Sequence, residues 1–171
     1  MKRIGLISDT HSFFDERLLK LFADCDEVWH AGDVGDIRLL NRLKEWKPLR
    51  AVFGNIDDRL IRAELPEMTR FALEGFDVLM THIGGYPGKY APNIAKIMRE
   101  EPPTIFVAGH SHILKVIYDN KYQCLHLNPG ACGTMGIHTM RTALRFTLDS
   151  GKVENMEVIE LGPRGKEKTE K

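Results

Sequence analysis

The chain has few cysteines, and their number and spacing argue against a disulfide scaffold. Only three occur among 171 residues, at Cys25, Cys124 and Cys132, and they form no C-x-x-C pair. An odd, widely spaced set cannot be fully paired in disulfide bonds. The cysteine content therefore predicts free, buried or incidental thiols in a protein from a reducing compartment.

The chain also lacks long apolar runs and a net charge. Its basic start, residues 1–3, is followed by only four apolar residues before Ser8 and Asp9, which is too short for a secretory signal. Nowhere does an apolar run approach the length that a membrane-spanning helix needs. Basic and acidic residues both number 24, so no overall basic field would hold nucleic acid. We therefore expect a cytoplasmic protein that binds neither membranes nor nucleic acids stably.

The composition that remains is that of an ordinary globular domain, with 43% hydrophobic and 28% charged residues. The first half alternates predicted strands with predicted helices, and the second half is mostly hairpins. Strands are predicted at 4–8, 28–31, 49–53, 70–73, 78–80, 105–108, 114–118, 122–127, 141–148 and 153–161, and helices at 15–23, 36–46, 58–63 and 93–99. This order predicts an α/β fold of two packed sheets with helices outside. We expect one domain over residues 1–161 and a disordered tail over 162–171.

Polar side chains follow five of the predicted strands at the point where each strand ends. The sequence Gly-His-Ser-His at 109–112 closes an apolar run, so that His110 and His112 point the same way on an extended backbone. The other clusters at strand ends are Asp9 with His11, Asp33, Asn55 and His82. Because parallel strands end at one edge of a sheet, we expect all five clusters to converge there.

These clusters offer seven oxygen or nitrogen donors, which is too many for one tetrahedral zinc site. Seven donors suit two metal ions if one carboxylate bridges them, and two-metal centres serve the hydrolysis of phosphate esters. Only two of the donors are carboxylates, so the centre would keep positive charge to attract a phosphate. The donor set suits manganese, iron, zinc, nickel or cobalt and does not choose among them. We expect two divalent ions per chain. Manganese is our leading expectation, and nickel, zinc, iron and cobalt are the alternatives.

Each residue taken alone has a simpler explanation. An aspartate after a strand commonly caps a helix, and an asparagine after a glycine commonly lies in a turn. A single histidine such as His82 is more often a packed core or surface residue. The occurrence of all five clusters at strand ends is what favours a metal site.

The motifs Asp-Thr-His (9–11), Gly-Asp (32–33), Gly-Asn-x-Asp (54–57), Thr-His (81–82) and Gly-His-Ser-His (109–112) occur in the order found in the calcineurin-like metallophosphoesterase superfamily. The chain most resembles its small single-domain prokaryotic phosphodiesterases, which also share Asn-Pro-Gly at 128–130. The resemblance implies a four-layer α/β/β/α sandwich of two mixed sheets flanked by helices. It also implies hydrolysis of a phosphodiester by a metal-bridging hydroxide.

The resemblance assigns the ligands residue by residue. One ion would be held by Asp9, His11 and His112, the other by Asn55, His82 and His110, and Asp33 would bridge both. Among these residues, Asp33, Asn55 and His11 are the candidate catalytic residues.

One position departs from the family pattern. Many members carry a histidine after the Gly-Asn, where it helps to protonate the leaving group, whereas this chain has Ile56. Isoleucine has no proton to donate, and a general acid is typically worth roughly 10²–10⁴-fold in rate. We therefore expect metal binding to survive and phosphomonoesterase activity to be weak, with a small phosphodiester or nucleotide-type compound as the better substrate. His11 or a metal-bound water is the alternative donor.

Two further expectations concern function and partners. The rival to an enzyme is a non-catalytic scaffold with the same fold, which the superfamily also contains. Hairpin strands near the carboxyl end could supply edges for a homo-oligomer.

Several other polar residues have no definite place in this scheme. His30 is predicted to be buried and either structural or helpful in orienting the site. His138 and Arg141 are candidates to reach the phosphate, with surface placement the more common fate of such residues. Tyr86 and Tyr90 flank a glycine-rich loop that is a weak candidate for a lid over the site.

Overall fold

The computed structural model describes residues 1–165. The strands are β1 (Lys2–Ile7), β2 (Glu27–His30), β3 (Leu49–Ala51), β4 (Met68–Leu73), β5 (Phe76–Thr81), β6 (Gly85–Tyr86), β7 (Lys89–Tyr90), β8 (Ile105–Val107), β9 (Leu114–Asp119), β10 (Cys124–Pro129), β11 (Met140–Asp149) and β12 (Lys152–Pro163). The helices are α1 (Leu18–Leu21), α2 (Ile37–Trp46), α3 (Arg59–Glu64) and α4 (Pro92–Glu100). Among these helices, none has both the length and the apolar content required to cross a membrane.

The strands form two five-stranded mixed sheets, which confirms the predicted fold class. The first sheet has the order β12-β11-β1-β2-β3, and the second has the order β4-β5-β8-β10-β9. Each sheet contains three adjacent parallel strands: β1, β2 and β3 in the first, and β5, β8 and β10 in the second. Hairpin-type antiparallel strands complete both sheets at their margins.

Three hydrophobic clusters show how the sheets and helices are layered. Between the sheets, Trp29 of β2 packs edge to face against Phe71 and Phe146. On the outer face of the first sheet, Leu18 of α1, Leu40 of α2 and Ile61 of α3 are buried in one cluster. On the outer face of the second sheet, α4 buries Ile94 and Met98. The order is therefore helix, sheet, sheet, helix, with the two parallel cores packed on each other.

Local departures from the predicted elements have simple causes. The helix predicted at 15–23 shrinks to the four residues of α1, because Asp15 accepts hydrogen bonds from Arg17 and holds the preceding residues in turns. Residues 84–88, predicted as a flexible loop, instead contribute to the small hairpin of β6 and β7.

The last strand runs beyond its predicted end. β12 extends to Pro163, where Gly162 pairs with Arg141 and Pro163 with Met140. The first two residues of the predicted tail are therefore ordered strand. Most of that tail, residues 166–171, lies outside the described residues.

Candidate metal centre

The seven predicted donors come from the loops that follow five parallel strands. Asp9 and His11 follow β1, Asp33 follows β2, and Asn55 follows β3 in the first sheet; His82 follows β5, and His110 and His112 follow β8 in the second. Because the sheets pack face to face, their parallel strands bring these loops together at one end of the sandwich. The structure thus brings the predicted donors close together, with contributions from both sheets.

Three donors form a first group. Nitrogen or oxygen atoms of Asp9, His11 and His112 all lie within 4.8 Å of one another. His112 Nε2 is 3.1 Å from Asp9 Oδ1, and His11 Nε2 is 3.9 Å from the same oxygen. These separations are those of ligands that surround one cation.

A second group forms around Asp33, His82 and His110, whose donor atoms also lie within 4.8 Å of one another. His82 Nε2 is 3.1 Å from Asp33 Oδ2. The Asn55 side chain joins this group, because its Oδ1 lies 3.0 Å from both His82 Nε2 and His110 Nδ1. The asparagine contributes a neutral oxygen where a carboxylate would add negative charge.

Asp33 lies between the two groups. Its Oδ2 is 3.1 Å from His82 Nε2 in the second group and 3.5 Å from His11 Nε2 in the first. Its other oxygen, Oδ1, accepts a 3.0 Å hydrogen bond from the backbone N–H of Ile56. The Asp33 carboxylate thus lies close to donor atoms of both groups, and a backbone hydrogen bond fixes its orientation.

The chemistry of the donor set fits bound cations. Asp9 Oδ2 accepts hydrogen bonds from the Ser8 hydroxyl and the His110 backbone N–H, whereas Asp9 Oδ1 is buried without a hydrogen-bond partner. His11 Nε2 is likewise buried and unpaired. Unpaired buried polar atoms are costly and rare in folded proteins. A metal ion at the first group would satisfy both atoms at once.

The electrostatics of the two carboxylates also suit cation binding. Burial alone would raise the pKa of Asp9, but the neighbouring imidazoles of His112 and His82 and the Ser8 hydroxyl hold that pKa below its ordinary value. For Asp33, burial is again outweighed, here by His82, the Ile56 N–H and His11, so its pKa is also lowered. Both side chains are therefore carboxylates at neutral pH, ready to bind a cation.

The backbone is left-handed at most of the predicted donors. Positive φ angles are found at Asp9 (53°), His11 (44°), Asp33 (58°), His110 (69°) and His112 (62°). Such angles are sparsely populated for side chains other than glycine, and they concentrate at functional sites where the surrounding structure enforces them. Two backbone hydrogen bonds, from Asp9 N to Gly32 O and from His11 N to Asp33 O, each 3.0 Å long, hold the loop after β1 against the loop after β2.

Two glycines allow the loops to approach closely. A Cβ atom added to Gly32 would lie 2.6 Å from His82 Nδ1, and one added to Gly54 would lie 2.1 Å from Asp33 Oδ1. The glycine that precedes Asp33 and the glycine that precedes Asn55 are therefore both needed for contact between loops. This explains the Gly-Asp and Gly-Asn pairs of the sequence.

Asp57 joins two of the loops through its buried carboxylate. It accepts hydrogen bonds from the backbone N–H groups of Val34 (3.2 Å), Gly35 (2.9 Å) and Gly54 (2.8 Å). The cap of α3 is instead the next residue, Asp58. Asp57 therefore fixes the loop of Asp33 against the loop of Asn55.

His30 is fully buried behind the site. The N–H of Gly32 donates to its Nδ1 at 3.1 Å, so its Nε2 carries the proton and donates to the Thr10 hydroxyl at 2.9 Å. Burial lowers the pKa of His30 to about 4, so the ring is neutral. His30 thus ties the loop after β1 to the loop after β2.

Arg141 does not reach the candidate site. Its guanidinium is buried, donates to Asp15 Oδ2 at 2.9 Å, and donates to the carbonyl oxygens of Leu161 and Pro163. The predicted phosphate contact is therefore wrong, as is surface placement. Its charged partner, Asp15, comes from a chain segment that no local pattern connects to residue 141.

The hairpin of β6 and β7 is attached to the second sheet. The Tyr90 hydroxyl donates a 2.5 Å hydrogen bond to Asp119, and the Lys115 ammonium lies 3.8 Å from the centre of the Tyr86 ring. Both tyrosines are thus engaged with β9. They are not part of a free loop poised over the site.

One structural contribution escaped the sequence-based reasoning. The Asn128 side chain donates to Gly109 O and to the Ser111 hydroxyl, both at 3.1 Å, and accepts from the Gly130 N–H at 3.0 Å. It therefore holds the loop that carries His110 and His112. Its place in the Asn-Pro-Gly motif was the available signal.

Cavities border the candidate centre on two sides. One of about 200 Å³ adjoins Asn55 and His82 and is lined by polar side chains that include Arg62, Glu67 and Asn93. The other, of about 510 Å³, adjoins His112 and has an apolar lining that includes Ile113, Ile137 and Met140.

The chain matches a known family of domains over most of its length. Residues 1–151 match the family model of the calcineurin-like phosphoesterase superfamily domain, and the chain belongs to that superfamily. A probable metallophosphoesterase of Methanothermobacter thermautotrophicus is 29% identical over 166 residues, covering 93% of this chain and 92% of the relative. One of Methanocaldococcus jannaschii is 31% identical over 142 residues, covering 75% of this chain and 67% of the relative.

Solved structures share the fold. An archaeal phosphodiesterase superposes with a TM-score of 0.71 at 17% identity, covering 93% of this chain and 99% of that one. Vps29 of Chaetomium thermophilum superposes with a TM-score of 0.74 at 14% identity, covering 94% of this chain and 97% of that one. At these identities the likeness establishes the architecture and leaves the activity to be argued from the site.

Proposed function

We propose that the protein is a two-metal-dependent phosphodiesterase that hydrolyses a small phosphodiester. The observation that carries this proposal is the position of Asp33 Oδ2 between two groups of donors, beside the unpaired Asp9 Oδ1 and His11 Nε2. In the proposed assignment, Asp9, His11 and His112 hold one ion, Asn55, His82 and His110 hold the other, and Asp33 contacts both. When bound, the ions would supply an activated water nucleophile and Lewis acidity toward the phosphate oxygens.

The charges of the side chains favour an anionic substrate at this centre. Two divalent ions bring four positive charges, and Asp9 and Asp33 offset only two of them. The remaining proposed ligands, one amide and four imidazoles, are neutral when they bind an ion. A donor set of this kind suits manganese, nickel, zinc, iron or cobalt, and we propose manganese as the first ion to test.

The preference for diesters rests on Ile56. Its side chain is 44% exposed beside the site, and its backbone N–H is committed to Asp33. The position where relatives carry a proton donor therefore offers none. The missing donor should slow the hydrolysis of a monoester dianion with a poor leaving group the most. A diester carries one negative charge fewer, so its hydrolysis should be slowed less. His11 remains the candidate donor within the chain.

A second candidate function is that of a scaffold for protein partners. The observation that favours it is the exposed apolar surface of the edge strand β9, where Val116, Ile117 and Tyr118 are 40%, 40% and 53% exposed. An exposed apolar edge strand is a site for pairing with another chain, including a second copy of this one. The structural likeness to Vps29 agrees with this alternative only at the level of fold.

The enzyme proposal is tested on protein stripped of metal and reloaded with manganese or nickel. We expect metal-dependent hydrolysis of bis(p-nitrophenyl) phosphate, and slower hydrolysis of p-nitrophenyl phosphate. The variant Asp33→Asn should lose activity, while the matched control Asp24→Asn, changed at a side chain that is 86% exposed, should retain it. Absence of turnover with every metal would leave the scaffold as the better hypothesis. Faster hydrolysis of the monoester would overturn the diester preference.

A further inference from the structure

One close contact lies behind the candidate metal centre. His138, in the segment between β10 and β11, places its Nδ1 3.2 Å from Nδ1 of His112. The two rings meet edge to face with their centroids 5.1 Å apart. On the His112 ring, Nδ1 is the nitrogen that does not face Asp9. His138 thus contacts a candidate ligand from its outer side.

The directions of the hydrogen bonds follow from the chemistry of the groups. His138 Nε2 lies 2.9 Å from the carbonyl oxygen of Gly133, which can only accept, so Nε2 carries a hydrogen. A neutral imidazole has one N–H, so His138 Nδ1 is an acceptor. The contact between the rings then requires His112 Nδ1 to donate. His112 Nε2 is left with a free lone pair, 3.1 Å from Asp9 Oδ1.

The backbone of the same segment encloses this contact. A Cβ atom added to Gly136 would lie 2.2 Å from His112 Nδ1, and the φ angle of Gly136 is +130°. The N–H of Gly133 donates a 3.0 Å hydrogen bond to the backbone oxygen of Asp9. The His112 side chain is only 12% exposed. His138 is therefore the acceptor that the fold provides for His112 Nδ1.

A parallel arrangement occurs in the second donor group. His82 places Nδ1 2.7 Å from the backbone oxygen of Ala31 and directs Nε2 toward Asp33. The carbonyl there fixes the proton on Nδ1. At His112, a side chain takes the place of the carbonyl, so the interaction is open to mutation.

We propose that His138 is a positioning residue that holds His112 in the Nδ1–H tautomer and directs Nε2 toward an ion shared with Asp9 and His11. This inference rests on the proposed metal centre. Partners of this kind, which hydrogen-bond to a ligand, typically contribute about 10–100-fold to metal affinity. The effect should be confined to the first of the two ions.

The binding test uses the metal-stripped full chain, titrated with zinc or manganese against a chelator of known affinity. We expect two ions per chain in the wild type. His138→Phe should weaken one of them about 10–100-fold and leave the other unchanged. His138→Gln, which retains an acceptor oxygen, should recover part of the loss. Met135→Ala, at a side chain of the same segment that is 59% exposed, should bind as the wild type does.

A spectroscopic readout separates positioning from a general structural role. In the metal-stripped wild type labelled with ¹⁵N-histidine, where no ion fixes the tautomer, long-range ¹H–¹⁵N spectra at mildly alkaline pH should show His112 protonated at Nδ1 only. This measurement needs no variant, so it stands even if His138→Phe folds poorly, which circular dichroism of the stripped protein would reveal.

The outcomes distinguish the two proposals. If the wild type binds two ions and His138→Phe binds them equally well, or if His112 carries its proton on Nε2, the role of His138 is refuted and the metal centre stands. If the wild type binds no metal at all, the proposed function and the role of His138 are refuted together.

Discussion

The Ser8 hydroxyl donates a 2.6 Å hydrogen bond to Asp9 Oδ2 in the fully buried floor of the candidate metal centre. This bond, together with the His110 N–H on the same oxygen, turns Asp9 Oδ1 toward His11 and His112. Ser8 lies directly before the aspartate in the chain. Ser8 therefore orients a candidate ligand and is not itself one of the proposed donors.

Replacing Ser8 with alanine should weaken metal binding at the first donor group. A hydrogen bond to a charged group contributes about 1.5–3 kcal/mol, and its loss would let Asp9 rotate away from the ion. We expect an affinity about tenfold lower for one of two ions in a chelator competition titration. The stripped variant should melt close to the stripped wild type; a large loss of melting temperature would instead make Ser8 a packing residue.

Replacing Ile56 with histidine should raise monoesterase activity relative to diesterase activity. The new imidazole would supply a proton donor beside the site, where a general acid contributes roughly 10²–10⁴-fold at best. The measurement is the ratio of kcat/KM for p-nitrophenyl phosphate to that for bis(p-nitrophenyl) phosphate. Ile56→Ala is the matched control and should not move this ratio. An unchanged ratio in Ile56→His would refute the account of the missing acid.

Replacing Asp57 with alanine should destabilise the fold by about 3 kcal/mol. Three backbone N–H groups, on Val34, Gly35 and Gly54, would lose their buried acceptor. Each unpaired group costs about 1–3 kcal/mol, and water that enters the space left by the carboxylate should offset part of the total. Asp57→Asn keeps one acceptor oxygen and should lose less. Urea unfolding of metal-stripped protein measures both differences. Equal stability of all three proteins would exclude this role for the carboxylate.

Acid should remove the stabilisation that Asp15 contributes. The hydrogen bond from Arg17, opposed by burial and aided by Arg141, lowers the pKa of Asp15 to about 2, against about 3.9 in an unfolded chain. Because the folded pKa is the lower one, the stabilisation is complete above about pH 4 and is lost as the pH falls toward 2. It amounts to roughly 2 kcal/mol at neutral pH.

The variant Asp15→Asn tests this dependence. Its deficit in unfolding free energy relative to the wild type should be largest at pH 7 and should shrink between pH 4 and pH 2. Asp24→Asn, at an exposed side chain, should show no comparable deficit in unfolding free energy at any of these pH values. A deficit for Asp15→Asn that stays constant with pH would mean that packing, and not the ion pair, is the cause.

The sequence predicted the fold class and the convergence of the donors because both depend on local patterns. Apolar runs that end in Asp9, Asp33 or His110 are visible in the chain, and parallel strands bring their ends together by a general rule. The separation of His110 and His112 into different donor groups came from the family resemblance, and the structure gives each histidine different neighbours.

Other contacts could not be predicted because they join distant segments. Arg141 pairs with Asp15 across 126 positions of sequence, and nothing near either residue signals the pairing. His138 lies in an irregular segment with no periodicity, so its contact with His112 emerges only when the loops are folded. The short α1 has a local cause. Hydrogen bonds to the Asp15 side chain replace the first helical turn that the spacing of the apolar residues predicted.

Each donor group draws on both sheets. Asp9 and His11 belong to the first sheet and His112 to the second, while Asp33 and Asn55 of the first sheet face His82 and His110 of the second. An ion at either position would therefore act as a cross-link between the two halves of the sandwich. Neither half of the chain holds a full set of ligands, so neither fragment alone should capture an ion tightly. Amide hydrogen exchange at the ligand-bearing loops should slow on metal loading, because opening the sandwich at that edge would require breaking coordination bonds as well as apolar contacts.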